Sequence, residues 1–438
     1  MRILAPGLRV KRWLVLAIIG LAGVCMGITI LVGIRWLRRT RHAATDLPGF
    51  TTLSHLRIQP QSAGILLTTV GILLFLVSIW RFTTAIVAAI RPDMKGDKLL
   101  SALSEQSRLS RGRRIVVIGG GTGLSTMLRG LKRFSSNIIA IVTVSDDGGS
   151  SGRLRKQLNI LPPGDIRNCL VALADAEDQM TRLLQYRFGN TDMRAGAAAG
   201  ARNVGDGLRD HSFGNLLIAA MCAINGGDFE RAVAETSRVL NIRGRVIPST
   251  ADAVKLQAEM EDGSVIEGET TIAGSPLAIK RMSIMPNDTC PLPEVLEAIE
   301  SADVIVLGPG SVFTSVLPNL LLHGMAEALH RSSAVKVYVC NVMTQPGETD
   351  RFTASDHVDA IERHCGLKVC NVVLVNNGQP RANLLDKYRQ TGSILVEPDA
   401  DRIRARGYRT VVGNYISQTD VVRHDAVALA EAIIRLVK

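Results

Sequence analysis

From Trp13 to Ile34 the chain runs for 22 residues without a charge. At 1.5 Å per residue a helix of that length spans a hydrocarbon core of about 30 Å. Arg9, Lys11 and Arg12 precede the run, and Arg35, Arg38 and Arg39 close it. A second run extends from Ala63 to Ile90, interrupted only by Arg81, which can snorkel from a helix end. The three tryptophans, Trp13, Trp36 and Trp80, stand at the edges of these runs, where an indole bridges apolar and wet layers. Residues 1–90 are therefore predicted to form a two-helix transmembrane hairpin. A cleaved leader is disfavoured, because its apolar core is only about 7–15 residues long and a second span follows here.

Charge separates this module from the rest. Residues 1–114 hold 17 Lys/Arg against 4 Asp/Glu, and the remaining 324 hold 34 against 36. The basic balance thus belongs to the N-terminal quarter, and a nucleic-acid footprint on the folded body is disfavoured. The two flanks that share one side of the hairpin carry 12 basic residues, against 5 in the connecting loop. That bias predicts cytoplasmic flanks. Residues 91–113 are polar, basic and broken by Pro92 and Gly96. They read equally as a solvated tether or as a linker that rests on anionic headgroups. Seven scattered cysteines with no Cys-x-x-Cys exclude a disulfide framework or a structural zinc site.

Residues 114–438 read as alternating strands and helices. Ile115–Ile118 is a strand of branched aliphatics. Gly119–Gly123 follows it, then Leu124, Met127, Leu128 and Leu131 at helical spacing. Further strands are predicted at Ile138–Val144, Val304–Leu307, Val335–Cys340 and Val372–Val375, with helices such as Pro293–Glu300 and Asn319–His330 between them. Apolar strands without alternation, separated by helices, predict an α/β, Rossmann-like, mostly parallel sheet covered on both faces. Val254–Met260 and Ser264–Thr270 flank Glu261-Asp262-Gly263 and predict a small β-hairpin insertion. The Gly, Ala and Arg-rich stretch from Gly189 to Asp210 reads as a mobile loop.

In an open α/β sheet, ligands bind where loops leave the carboxyl ends of the strands. The Gly119–Gly123 loop lets backbone N–H groups approach a phosphate at a helix start, with Gly120, Gly121, Thr122 and Gly123 as candidates. It is neither the dinucleotide fingerprint, since Leu124 or Thr126 falls in the last glycine slot, nor a Walker loop, since no Lys-Ser/Thr follows. A nicotinamide or flavin cofactor is not expected. Asp146 and Asp147 end the next strand, followed by Gly-Gly-Ser-Ser-Gly and Arg153-x-Arg155. That order suits Mg²⁺ beside an anion cradle that includes Ser150 and Arg153, because carboxylates hold Mg²⁺ while substrate phosphates complete its shell. An aspartate-capped turn is the plainer reading. Pro163–Asn168, with Asn168 as the candidate, and His211–Asn215, with His211 and Asn215, open two further helices. Gly308-Pro309-Gly310-Ser311 forms a second phosphate-compatible turn, with candidates Gly308, Gly310 and Ser311. Each alone suits a helix cap. Together they bring four polar loops to one sheet edge.

From about Arg114 to the C-terminus the chain resembles the CofD/YvcK family, on GGGTGLSTMLRGL, SDDGGSSGRLR, PGDIRN, HSFGNLL, GPGSVFTSVLPNLL and NVMTQPGETD. NVMTQPGETD and Arg423-His424-Asp425 look like the YvcK branch, the gluconeogenesis factors. That resemblance implies a UDP-sugar-binding regulator, with a ligand like UDP-N-acetylglucosamine, that serves cell-envelope morphogenesis and cell shape. It also implies partners among envelope-synthesis proteins, a homo-oligomer, and roles for Tyr388 and Arg423 in gripping the far parts of the nucleotide. The CofD branch implies the alternative, a Mg²⁺-dependent transferase of a phosphoryl-linked group of the 2-phospho-L-lactate type. The hairpin departs from most of the family. It would hold the body at the cytoplasmic face of a bacterial inner membrane, with lipid as a further partner. No nucleophile or general base stands out, which favours binding over turnover.

Overall fold

Val10–Thr40 and Pro60–Ile90 form two long helices, α1 and α2. The structure, a computed structural model, describes residues 10–40, 60–90, 104–189, 207–417 and 421–437. It divides into two compact units, Met1–Glu105 and Gln106–Lys438.

Within the first unit, Arg12–Gly33 and Gln61–Ala85 are long and apolar enough to cross a membrane. Their contact is built on glycine. A Cβ at Gly20 would come within 2.8 Å of Phe75 N and 2.9 Å of Gly71 O. One at Gly71 would come within 2.7 Å of Val24 N. Small residues at these positions let the two backbones approach this closely. The Arg81 guanidinium lies 5.6 Å from the centre of the Trp13 ring and 5.4 Å from that of Trp80. The one basic interruption of the second run is thus held by two indoles as a cation–π pair.

The second unit begins inside the predicted linker. Leu109 is buried, and its carbonyl accepts from Gly112 N and Ser136 N, both at 3.0 Å. Residues 106–113 therefore belong to the folded body, while 91–103 lie outside the described residues.

The body is built on ten strands. β1 is Ile115–Gly119, β2 Ile138–Val142, β3 Arg245–Pro248, β4 Lys255–Met260, β5 Val265–Glu267, β6 Ile279–Met285, β7 Val304–Leu307, β8 Val335–Val339, β9 Val372–Asn376 and β10 Arg409–Gly413. Seven form one parallel sheet in the order β10-β9-β8-β7-β1-β2-β3. Successive strand residues feed opposite faces. Ile115, Val117, Val304 and Val306 join one core, while Val116, Ile118, Ile305 and Leu307 join the other. Burial on both faces is why these strands show no polar alternation. β3 and β10, the two edge strands, were not predicted. β3 holds only Val246 and Ile247 before a proline, and no residue of β10 is buried, so neither has the apolar run that marks a central strand.

The predicted hairpin insertion is a three-stranded antiparallel sheet, β5-β4-β6. The stretch expected as its second strand, Ser264–Thr270, is extended only over Val265–Glu267. It then turns into the helix Glu269–Ala273 through Gly268, whose φ of +92° favours glycine. Leu256, Met260, Ile272, Met282 and Ile284 seat the insertion in the core of one sheet face. The helix expected over Asn319–His330 is broken into Leu317–Leu320 and Met325–Arg331, around Gly324 at φ +82°. The predicted mobile loop falls mostly on residues 190–206, outside the described residues.

Candidate functional site

β1 and β7 lie side by side at the centre of the sheet. From β1 the chain proceeds through β2 to β3, and from β7 through β8 and β9 to β10, on the opposite side. This is the topological switch point, where the loops beyond the carboxyl ends diverge and leave a crevice. A cavity of about 450 Å³ opens there, lined by both predicted glycine loops, by Glu269 of the insertion, by Asn341, Gln345 and Glu348 after β8, and by Arg423 and His424.

The first loop is shaped by close approach. A Cβ at Gly120 would come within 2.6 Å of Thr143 Cγ2 and 2.7 Å of Asp165 Oδ2, and one at Gly123 would run into the Pro309 carbonyl. Gly121 turns at φ +64°, and its N–H donates to Asp165 Oδ2 at 2.7 Å. The helix Gly121–Leu131 then begins on Gly120, which has no side chain of its own to cap it. Its first N–H is taken by Asp165, and the positive end of its dipole faces the loop. The second loop differs. Ser311 caps its own helical turn, accepting from Thr314 N at 3.0 Å, and donates to the buried carboxylate of Glu348.

Gly120, Gly121, Thr122, Gly123, Gly310, Ser311 and Arg423 line the cavity. Gly308 turns at φ +77° just behind it. Tyr388 lies one layer further back. Its hydroxyl accepts from Val422 N at 3.2 Å, and its ring packs on a small cluster of Val342, Met343, Ile416 and Val422. It supports the Arg423 segment and does not form the cavity wall.

Ser150, His211 and Asn215 are buried in a separate network, with Asn168 half-buried and Arg153 exposed at its edge. Ser150 Oγ meets His211 Nδ1 at 2.9 Å and accepts from Asn215 Nδ2 at 3.0 Å. Arg153 reaches His211 Nε2 at 3.4 Å and the Arg209 carbonyl at 3.0 Å. Arg155 donates to the Val254 carbonyl at 2.6 Å, so the Arg153-x-Arg155 pair forms no anion cradle on this cavity. Arg167 is the hub that sequence reasoning missed. Its guanidinium donates to Ser212 Oγ at 2.5 Å, Asn215 Oδ1 at 2.8 Å and Asn168 Oδ1 at 3.0 Å. Burial lowers the pKa of His211 and keeps its ring neutral.

The acids converge from four segments. Asp146 Oδ1 accepts from Gly148 N at 2.9 Å in the turn geometry foreseen, while its Oδ2 lies over Gly164. Asp147 Oδ1 accepts from Thr270 N at 3.0 Å and Thr270 Oγ1 at 2.7 Å, which ties the insertion to the acidic loop. Burial, and then Asp146, push Asp165 up to about 6 against the pull of the Gly121 N–H. Burial first, then Asp146, Asp165, Glu348 and Asp147, push Glu269 up to about 9. Glu348 is raised by burial and drawn back by Ser311 and Thr314. Among the described residues no three His, Cys, Asp or Glu side chains converge closely enough to cage a metal. The crowded hard oxygens nonetheless fit Mg²⁺, which takes one or two carboxylates and completes its shell with water and phosphate. Such an ion would arrive with its ligand. Asp165 and Glu348 lie in the quoted motifs PGDIRN and NVMTQPGETD, whereas Glu269 carries no sequence signal.

The profile described as 2-phospho-L-lactate transferase CofD matches residues 115–416. The chain belongs to the CofD family. Within it, the gluconeogenesis factor of Halalkalibacterium halodurans is 50% identical over 74% of this chain and 96% of its own. That of Bacillus subtilis is 46% identical over 74% of this chain and 98% of its own. A Nostoc relative, which bears the same name provisionally, is 44% identical over 99% of this chain and 91% of its own. That match runs through the two N-terminal apolar helices as well as the body. The crystal structure of a UPF0052-family protein from Bacillus halodurans superposes with a TM-score of 0.68 at 48% identity, covering 74% of this chain and 99% of that one.

Proposed function

We propose that the body binds a nucleotide diphosphate, a UDP-sugar of the UDP-N-acetylglucosamine kind, and works as a gluconeogenesis-factor-type regulator of envelope growth and cell shape. The observation that carries this reading is the glycine-built helix start at Gly120–Gly123, which lines the switch-point cavity. A cavity of about 450 Å³ is within the range that holds ligands of this size. The two apolar helices and the 12-to-5 basic bias support a body held at the cytoplasmic face of the membrane. Uridine itself is supported only by the likeness to the YvcK branch. The test is calorimetric titration of the full chain in detergent with UDP-N-acetylglucosamine, with and without Mg²⁺. Binding should strengthen with Mg²⁺, and Asp146→Asn should abolish that dependence.

A second reading, transfer of a phosphoryl-linked group, is favoured by Glu269 and Glu348 in the cavity lining, by Asp165 on the Gly121 N–H, and by the family's description. Mass spectrometry separates the two. A regulator returns its ligand intact after incubation with Mg²⁺ and candidate acceptors, whereas release of UDP or UMP would favour the transferase.

A further inference from the structure

Arg81 is the one charge in α2, and nothing in the hairpin cancels it. The Trp13 and Trp80 rings approach its guanidinium, at 5.6 and 5.4 Å from their centres. An indole face attracts a cation through its quadrupole but carries no net charge of its own. Neither helix contains an acid. Residues 1–92 hold a single one, Asp46, which lies in sequence between Thr40 and Pro60, the two helix ends away from Trp13 and Arg81. The next, Asp93, follows only after α2 has ended at Ile90. An ionised group within a membrane helix requires a partner, and here the partner must come from outside the hairpin.

The depth of Arg81 says what that partner is. Trp13 stands at the start of the span Arg12–Gly33, whose rise is about 32 Å, one hydrocarbon core. Arg81, beside Trp13, is therefore level with the boundary between acyl chains and headgroups. The helix does not stop there. Phe82–Ile90 adds nine uncharged residues, about 13 Å, so the guanidinium is not freed into water at a helix end. Thr83 and Thr84 turn their hydroxyls back to carbonyls of their own helix. Arg12, exposed next to Trp13, adds a second cation at this level. The anions of that layer are lipid phosphates.

We infer that Arg81, Arg12, Trp13 and Trp80 form a binding site for the phosphate of an anionic lipid in the cytoplasmic leaflet. The phosphate accepts from the Arg81 guanidinium, a charge-assisted pairing that arginine geometry favours. The indole faces, with Trp80 60% exposed, line the glycerol and the first methylenes. Two cations around one phosphate select a lipid without an ammonium of its own, such as phosphatidylglycerol, over phosphatidylcholine. The inference rests on the membrane placement proposed above.

The test uses the full-length chain carrying Trp36→Phe, so that indole emission comes from Trp13 and Trp80 alone. It is placed in bilayers of phosphatidylglycerol and phosphatidylcholine in which each lipid in turn has brominated acyl chains. Quenching at equal mole fraction should favour phosphatidylglycerol about fivefold, the attraction of one arginine to an anionic surface. Arg81→Gln should remove most of that preference, and Arg81→Lys, which keeps the charge, should restore part of it. Inorganic phosphate replacing chloride at the same ionic strength should leave it intact. Equal quenching by the two lipids, a preference that survives Arg81→Gln, or one abolished by inorganic phosphate overturns the inference. Should the glutamine variant not fold, native mass spectrometry of the unmodified chain from mixed micelles decides. It should retain a single phosphatidylglycerol in preference to phosphatidylcholine, and an unsaturating ladder of both lipids refutes a site. If neither brominated lipid quenches, the helices do not enter the bilayer, and the membrane reading falls together with the inference.

Discussion

Replacing Asp165 with asparagine should stabilise the ligand-free protein at neutral pH and do nothing in acid. Asp165 is buried, and burial pushes its pKa from 3.8 up to about 6. A folded-state value above the unfolded one means that the folded chain binds the proton more tightly. Its stabilising contribution is complete below the unfolded pKa and is lost as pH rises through about 6. At 1.36 kcal/mol per pH unit, the distance from 3.8 to about 6 makes the ionised carboxylate cost about 3 kcal/mol at pH ~7. Asparagine has the same shape, carries no charge and still offers an oxygen to the Gly121 N–H, now bonded at 2.7 Å. The rise to about 6 already includes that bond's pull on the charge, so the net gain is about 3 kcal/mol. Scanning calorimetry of both proteins across this pH range should show the variant melting a few degrees higher at neutral pH. The gap should close in acid. Mg²⁺ with a UDP-sugar should raise the unmodified protein more than the variant, because a cation relieves the repulsion that the variant no longer has. Parallel pH profiles, or a variant less stable than the parent at neutral pH, would refute the reasoning.

Arg167→Met strands the acceptors on Ser212, Asn215 and Asn168; it should cost about 3–5 kcal/mol, read as a large fall in the melting temperature of the body. Thr270→Val removes one of two bonds that hold the insertion to Asp147. A loss of about 1 kcal/mol should appear as faster amide exchange over residues 265–273, with β1 and β2 unchanged. A reporter fused after Lys438 should be active only in the cytoplasm, given the basic bias of the hairpin flanks. Activity outside the inner membrane would reverse the topology.

The central strands were legible because burial on both faces leaves four or five aliphatics in a row, as in Ile115–Ile118 and Val304–Leu307. The edge strands were not, because half-exposed strands such as β10 have mixed sequence. The glycine loops leave room for the protein's own atoms, Thr143 and Asp165 against Gly120 and the Pro309 carbonyl against Gly123. What sequence spacing does not convey is which polar residues share a cavity. Ser150, Arg153, Asn168, His211 and Asn215 look like ligand contacts, yet they satisfy one another around Arg167. Glu269 reaches the cavity from a five-residue helix more than a hundred residues beyond the acidic loop, a meeting produced only by tertiary folding.

The division of the aromatic residues gives each unit its own optical label. All three indoles belong to the hairpin helices, and all five phenols, at 186, 338, 388, 408 and 415, belong to the body. Red-edge-excited emission, together with quenching by brominated lipids, therefore tests whether the two apolar helices enter a bilayer. The near-ultraviolet circular dichroism of tyrosine carries the complementary signal. Tyr388, bonded to the backbone beside Arg423, is placed to sense a ligand that moves that segment. One unlabelled chain can thus report membrane insertion and ligand capture in separate channels.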